Sequence, residues 1–327
     1  MRIILVGFGV IGRGLAETLL CKRRPLAENG VKMKVVALCE KNGSAVNPDG
    51  LDLKKALNDG VESLAEWGGR KTMNVIEDVN ADIVVELTPG SISDGGVGLK
   101  HIRQALKSGK SVVTSNKSPL VVAYEELTDL AGREGLELKF EATVCGAIPL
   151  ISLCKNQLKA SGIKNIHGVF NGTTNYILSK MSEEGVEFEA ALKEAQLLGY
   201  AETNPEYDVK GIDTAAKVVI LANSILGLNA KYSDVTVTGV DKITSESIEL
   251  ADKHGYVIKL IGDAAKLEVS PMLVPKDHPL NVSGTLNSVL IETDTAGDIT
   301  LVGAGAGPLE TSSAILSDIL EVAGRMG

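Results

Sequence analysis

The stretch Arg2-Ile3-Ile4-Leu5-Val6-Gly7-Phe8-Gly9-Val10-Ile11-Gly12 decides how the rest of this chain is read. A short, uninterrupted apolar run suits a strand buried on both faces, and here it passes straight into Gly-x-Gly-x-x-Gly and a helical pattern. In that setting the first glycine permits a tight turn and the second lets the backbone approach a pyrophosphate. The third lets helix and strand pack closely, so that phosphates sit on the helix N-terminus. Gly7, Phe8, Gly9, Val10, Ile11 and Gly12 are therefore candidate dinucleotide ligands. The plainer alternative, an ordinary glycine-rich turn, loses ground as the following segments are read.

Working outward, short apolar runs at 3–6, 34–39, 83–87, 111–114 and 138–141 alternate with helical patterns at 11–21, 53–58, 97–107 and 124–134. Such βαβ alternation predicts an α/β domain of Rossmann type, a doubly wound parallel sheet. After residue 145 the pattern changes: helices at 176–184, 188–198 and 213–226 mix with strands at 163–170 and 257–261. This predicts a second, α+β domain built on a different sheet. A last helix, 310–322, follows Gly303-Ala304-Gly305-Ala306-Gly307 and is expected to return to the first domain. The expected division is 1–140 plus 305–327 for the dinucleotide, and 141–304 for the substrate.

Composition sets the outer bounds. A chain of 327 residues with 44% apolar content can bury two cores, and 3% aromatic residues leave Val, Ile, Leu and Ala to fill them. A net charge of −9 without a Lys/Arg stripe argues against a nucleic-acid partner. The cluster Lys22-Arg23-Arg24 reads as a solvated helix end. Four cysteines without Cys-x-x-Cys spacing argue against a disulfide framework or a zinc site. No run approaches the ~18 apolar residues of a membrane span. Entry into a strand at the first residues, without a leader pattern, predicts a cytoplasmic protein.

Three further strand ends carry polar residues where open α/β sheets bind ligands. At Cys39-Glu40-Lys41, Glu40 would bond ribose hydroxyls and favour NAD. Lys41, helped by Lys54 or Lys55, would favour the 2′-phosphate of NADP, and both cofactors stay open. The others are Thr88-Pro89 and Ser115-Asn116-Lys117. Lys117 reads equally as an exposed loop lysine or a functional one.

The densest chemistry lies in the segment Gly199 to Lys217. A loop broken by Pro205 supplies Glu202, Glu206 and Asp208, and a helix begins near Asp213. Asp213 and Lys217 share one helical face. The plainer reading is an exposed ion pair, but Ala215, Ala216, Val218, Val219, Ile220 and Leu221 leave little polar surface around it. A charged pair on such a helix is desolvated and must be paired or functional. Desolvation is expected to lower the lysine pKa toward neutrality, which suits a general acid or base.

At these residues the chain resembles homoserine dehydrogenases. The resemblance is carried by Gly199–Lys217 continuing into Val218-Val219-Ile220-Leu221-Ala222, and by Asn171-Gly172-Thr173-Thr174-Asn175-Tyr176-Ile177-Leu178. Glu141-Ala142-Thr143-Val144 with Ile148-Pro149, and the Gly303–Gly307 turn, add to it. It runs from the first strand to the last helix and matches the short form, without an aspartokinase or ACT domain. It implies reversible NAD(P)H-dependent reduction of L-aspartate 4-semialdehyde to L-homoserine, in threonine and methionine biosynthesis.

The resemblance also implies roles. Lys217 would be the proton donor and, in reverse, the base. Asp213 would bond the reacting hydroxyl and position Lys217. Glu202 would hold the substrate ammonium with Asp208 nearby, and Thr173 would belong to the substrate site. Lys117 would share in proton handling beside the cofactor, and Gly199 and Gly307 would let the backbone approach the ligands. A monovalent cation, sodium, would be held by Glu141 and the carbonyls of Val144, Gly146 and Ile148. The family's homodimer would form through strands near 286–291 and 299–302. Hydride transfer to an aldehyde builds an alkoxide, so an acid and fixed positive charge are what the chemistry requires.

Two positions depart from the pattern: Ser118 stands where the family commonly has Gly, and Cys145 where many members carry Gly or another small residue. A rival enzyme, an aldehyde-oxidising dehydrogenase with Cys145 as nucleophile, needs an activating histidine. None of His101, His167, His254 or His278 lies in a recognisable catalytic motif. A non-catalytic nucleotide sensor should have lost the acid–base set, yet Lys117, Glu202, Asp213 and Lys217 are all present.

Overall fold

Apolar runs with no polar face need cover on both sides, and the first strand shows how that is met. In the computed structural model, which describes residues 1–325, one unit comprises Met1–Thr143 and the chain from Gly307; the other is Val144–Ala306. The first unit contains β1 (Arg2–Val6), α1 (Val10–Glu28), β2 (Lys34–Glu40), β3 (Gly43–Val46), α2 (Leu53–Asp59) and β4 (Trp67–Gly68). It continues with α3 (Thr72–Asp78), β5 (Ile83–Glu86), α4 (Gly96–Lys107), β6 (Ser111–Thr114), α5 (Lys117–Glu134) and β7 (Leu138–Lys139). The strands form one seven-stranded sheet in the order β4-β3-β2-β1-β5-β6-β7. From β2 to β7 it is parallel, and β3 and β4 add an antiparallel edge.

Ile3 and Leu5 of β1 face one cluster with Leu15 and Leu19 of α1, whereas Ile4 and Val6 face the other with Val75, Ile76, Leu99 and Ile102. Helices thus cover both faces, the doubly wound arrangement. The chain leaves β1 toward β2 on one side and toward β5 on the other, so the carboxyl end of β1 lies at the switch point where such sheets bind ligands.

The second unit runs α6 (Leu150–Ser152), β8 (Ile163–Val169), α7 (Gly172–Glu184), α8 (Phe188–Leu197), α9 (Glu206–Val209) and α10 (Ile212–Ser224). Then come β9 (Thr236–Val237), α11 (Ser245–Lys253), β10 (Tyr256–Asp263), β11 (Glu268–Pro275), β12 (Leu286–Thr293) and β13 (Asp298–Ala304). Its six-stranded sheet has the order β13-β12-β8-β10-β11-β9. β8 pairs antiparallel with both β10 and β12. α10 packs on β10 and β11 and is buried at every residue from Asp213 to Asn223. The chain closes with α12 (Pro308–Arg325) in the first unit, where Ile315, Ile319 and Val322 join the core beside α1.

Several elements differ from the sequence expectation. α5 starts at Lys117 rather than 124, because the Asn116 side chain caps it and Pro119 sits in a first turn that needs no N–H; non-helical angles at Ala123 break the pattern. α1 continues through Pro25 to Glu28, so Lys22-Arg23-Arg24 is an exposed segment inside the helix, not its end. The run at 138–141 yields a two-residue strand, with Glu141 already in a 3₁₀ turn. The β3–β4 edge, α3, α11 and β11 were not anticipated. β3 is Gly-Ser-Ala-Val, α11 buries only Ile248 and Ala251, and β11 carries Pro271 and exposed Met272 and Leu273, so none shows strong periodicity.

One glycine sets how closely α10 approaches its sheet. A Cβ on Gly262 of β10 would lie 2.7 Å from the Phe170 ring, and 2.9 Å from methyl groups of Thr214 and Val218. Gly262→Val is expected to lower the urea unfolding midpoint by an amount equivalent to about 1–3 kcal/mol, the cost of overpacking a filled core. An unchanged midpoint would mean that β10 and α10 separate freely.

Candidate functional site

The glycine turn after β1 has the geometry its spacing requires. Gly7 has φ 95°, a left-handed value, and its N–H donates to the Cys39 carbonyl at 2.8 Å. A Cβ on Gly12 would lie 2.3 Å from the Gly7 carbonyl oxygen, so helix and turn touch backbone to backbone. Gly9 is the N-cap of α1 and offers no side-chain cap, which leaves the first N–H groups of α1 for an anion. Val10 is 69% exposed in that first turn, where an apolar side chain gains by covering a ligand. Glu40 accepts the Phe8 N–H, so this carboxylate braces the turn from the end of β2. Arg13, not anticipated from sequence, lies over the Phe8 ring at 5.9 Å. Lys41 is exposed.

Beside the turn lies a buried polar network that sequence reading caught only in part. Thr88 donates to Glu86 Oε1 through its N–H (3.1 Å) and its hydroxyl. Thr114 Oγ1 donates to the Glu86 carbonyl at 2.9 Å and accepts the Asn116 N–H at 3.0 Å. His101 Nδ1 stands 3.5 Å from Glu86 Oε1. Glu86 is fully buried, and its only sequence signal was an acid ending the apolar run Ile83-Val84-Val85. Ser115 follows β6, and Lys117 opens α5 under the Asn116 cap, both half-buried. Gly307 has φ 137°, and a Cβ there would meet the Glu310 carboxylate at 2.0 Å.

In the second unit the structure gathers Asp208, Asp213 and Lys217. Lys217 Nζ lies 2.7 Å from Asp213 Oδ2 and donates to the Phe170 carbonyl at 2.5 Å. Asn287 Nδ2 donates to the same carbonyl at 3.1 Å. Asn171 Nδ2 donates to Asp208 Oδ1 (2.7 Å) and Asp213 Oδ2 (3.0 Å). The Lys217 and Asp213 side chains are only 9% and 10% exposed, so the pair is desolvated as expected.

The direction of the lysine pKa is not as expected. Burial pulls it down, but the charges of Asp213, Cys145 and Asp208 with the Asp213 hydrogen bond outweigh burial and hold Lys217 above its ordinary value. Lys217 is therefore a firmly protonated group, poised as an acid. Burial raises the Asp208 carboxyl; Asp213 adds to the rise, while the Asn171 amide and the Lys217 charge oppose it.

The other residues expected on the substrate side flank this cluster in the chain. Thr173 Oγ1 donates to the Tyr200 carbonyl at 2.7 Å, which ties the start of α7 to the loop at Gly199 (φ 77°). Glu202 is exposed, its backbone carbonyl held by Gln196 at 3.1 Å. Cys145 has φ 60° and Gly146 φ 50°, left-handed values that glycine adopts most readily and that a cysteine adopts at a cost. The Ile148 carbonyl accepts the Leu150 N–H at 2.8 Å, and Val144 is buried. Glu141 is buried in the first unit, where its N–H donates to Asp318 Oδ2 at 2.8 Å; burial pushes the Asp318 carboxyl up to about 8. Among the described residues, no group of three His, Cys, Asp or Glu side chains could hold a metal, and no helix is long and apolar enough to cross a membrane.

Comparison with known proteins agrees along the chain. A family model described as "Homoserine dehydrogenase, NAD binding domain" matches residues 7–141, and one described as "Homoserine dehydrogenase" matches 149–320. The homoserine dehydrogenase of Methanocaldococcus jannaschii is 49% identical, with 98% of each chain covered. A crystal structure from Archaeoglobus fulgidus, whose own assignment as a homoserine dehydrogenase is provisional, superposes with a TM-score of 0.92 at 45% identity, covering 98% of this chain and 99% of that one. A hyperthermophilic archaeal homoserine dehydrogenase in complex with NADPH gives 0.85 at 29% identity, covering 99% and 98%.

The buried pair makes a stability prediction. Lys217→Met strands the Asp213 carboxylate and is expected to cost about 3–5 kcal/mol in urea denaturation, whereas adding Asp213→Asn should recover most of the loss. A single variant as stable as the parent would show that the pair is solvated.

Proposed function

Because the chain belongs to the homoserine dehydrogenase family, we propose that Lys217, held by Asp213, is the group that hands its proton to the reacting oxygen. The family reaction is the NAD(P)-dependent interconversion of L-aspartate 4-semialdehyde and L-homoserine, and the chain is an oxidoreductase of that kind. The observation that carries the assignment of Lys217 is its buried contact with Asp213 at 2.7 Å.

When bound, the nicotinamide supplies the hydride. The aldehyde oxygen then gains negative charge, and a buried ammonium meets that charge with a hydrogen bond and a proton. Asp213 keeps the ammonium protonated until then, and the Phe170 carbonyl aims it. In the oxidative direction Lys217 must first lose its proton, so homoserine oxidation is expected to rise with pH into the alkaline range, and aldehyde reduction to proceed already near neutrality. Glu202 and Asp208 offer carboxylates for the substrate ammonium, with Thr173 and the Gly199 turn completing the substrate side.

On the cofactor side, the Gly7–Gly12 turn with Thr88, Ser115, Lys117 and Gly307 binds NAD(P); Lys117 also shares in proton handling. Glu40 favours NAD and Lys41 favours NADP, and the ratio of kcat/KM with the two reads which of them dominates. Glu141 with the carbonyls of Val144, Gly146 and Ile148, all within one short stretch of chain, is a hard-oxygen donor set that suits sodium rather than a transition metal. The working form is a homodimer joined along β12 and β13, where Leu286 (39%) and Val302 (51%) are exposed, and the setting is cytoplasmic biosynthesis.

The test is NAD(P)H absorbance with purified protein and L-homoserine. Homoserine-dependent reduction of NAD or NADP is expected. Lys217→Arg keeps a charge for Asp213 but does not release its proton, so kcat should fall at least about 100-fold with cofactor binding unchanged. Near-normal turnover in that variant would remove Lys217 from the role of proton donor.

A further inference from the structure

We infer that Asn171 is a positioning residue of this active site: its side-chain amide bridges Asp208 and Asp213, and so sets the orientation of the carboxylate that holds Lys217. The inference rests on the reading of Lys217 and Asp213 given above and adds a residue to it. Asn171 is 5% exposed and stands at the junction of β8 and α7 with extended angles (φ −130°, ψ 116°). Its Oδ1 caps α7, accepting the Thr174 N–H at 2.9 Å and the Thr174 hydroxyl at 3.2 Å. That leaves both N–H bonds of its amide for other partners, and they go to Asp208 Oδ1 (2.7 Å) and Asp213 Oδ2 (3.0 Å).

Capping alone does not account for this residue. Ser, Thr or Asp would cap the helix about as well, since a cap needs only an acceptor oxygen. Only an amide caps with one end while donating twice with the other. Asp would place a third carboxylate beside two, and Ser would remove the one donor group that the two carboxylates share, leaving Asp213 to Lys217 and Asp208 to Thr173. The oxygen of Asp213 that accepts from Asn171 is also the oxygen that faces Lys217, so the amide and the ammonium divide its lone pairs and fix its plane. The preceding residue completes the arrangement through the Phe170 carbonyl, which takes a hydrogen bond from Lys217. The dipeptide Phe170-Asn171 therefore aims both members of the buried pair from one rigid strand–helix corner.

Two neighbouring carboxylates repel, and a donor between them opposes the protonation that repulsion favours. The groups facing Asp208 are Asp213 and Lys217 from α10, Thr173 and Asn171 from the start of α7, and Tyr207 beside it on α9. Cys145 acts on the Lys217 side. Of these, Asn171 is the neutral double donor, so its removal should raise the Asp208 carboxyl further.

Three variants separate positioning from capping. Asn171→Ser keeps the cap and removes the donors, Asn171→Asp keeps the cap and adds charge, and Asn171→Ala removes both functions. With Asn171→Ser, NAD(P)H affinity should stay near the parent value, and any fall in the urea midpoint should be smaller than in Asn171→Ala, which also loses the cap. Its kcat/KM for homoserine should fall about 10- to 100-fold, as for a misaimed catalytic group, and the acid limb of the pH profile should move to higher pH. Asn171→Asp should show a larger deficit that shrinks as pH falls, because a protonated carboxyl at 171 can donate where its anion cannot. Carbon-detected NMR titration of the aspartate carboxyls reads the same upward move of Asp208 without turnover. A parental pH profile, titration and kcat/KM in Asn171→Ser would overturn the inference, as would losses in all three variants that follow their stability alone. If Lys217→Arg is inactive while Asn171→Ser is normal, only the role of Asn171 fails. If the parent shows no homoserine-dependent turnover, the functional reading fails and the NMR titration still decides Asn171.

Discussion

A salt bridge placed almost out of reach of water, Lys217 to Asp213 at 2.7 Å, is the constraint around which the second unit is arranged. Burying two charges is costly, and their attraction offsets that cost only when geometry is good and the remaining donors and acceptors are met. Each of those conditions is supplied by a different part of the fold. α10 puts the two side chains on one face, a turn apart. The corner between β8 and α7 supplies a carbonyl for the ammonium and an amide for the carboxylate. Gly262 on β10 lets the helix lie close enough to Phe170 for these contacts to form. Apart from the pair itself, Thr214 and Asn223, the buried residues of α10 are apolar, which keeps water from competing with the pair.

The same pairing sets the chemical character of the site. A lysine stripped of water would by itself release its proton readily, and a lysine in contact with an ionised aspartate would not. Here the aspartate prevails and the ammonium persists. Such a group can donate a proton directly and can accept one only once it has given up its own. Asp208 lies at the other end of this balance: burial and a like charge nearby raise it, and the Asn171 amide restrains the rise.

The first unit solves a different problem with backbone rather than charge. Gly7 and Gly12 let a strand, a turn and a helix meet without side chains, so that the first N–H groups of α1 are presented at the switch point of the sheet. Around that turn, carboxylates act as internal braces: Glu40 holds the Phe8 amide, and buried Glu86 holds Thr88. These acids carry no obvious pattern in the sequence because their partners belong to neighbouring strand ends, which become neighbours only when the sheet forms.

What the chain determined by itself was local and periodic. The glycine spacing after an apolar run, the alternation of short strands and helices, the four-residue step from Asp213 to Lys217 and the narrow motifs around Asn171 and Glu202 are each written within a few turns of chain. They were enough to read the α/β class, the dinucleotide turn and the family. Elements with weak periodicity, such as β3 with its small residues and β11 with its prolines, were not legible, nor was the start of α5, where the Asn116 cap decides. Tertiary structure alone decided the partners of the charged groups. Asn171 and Asp213 are 42 residues apart, and Phe170 and Lys217 are 47 apart, so no local pattern brings them to hydrogen-bond distance. The sign of the lysine shift follows from that difference. Burial can be anticipated from apolar neighbours, but its contest with Coulomb attraction depends on distances of a few ångströms between groups that only the folded chain brings together.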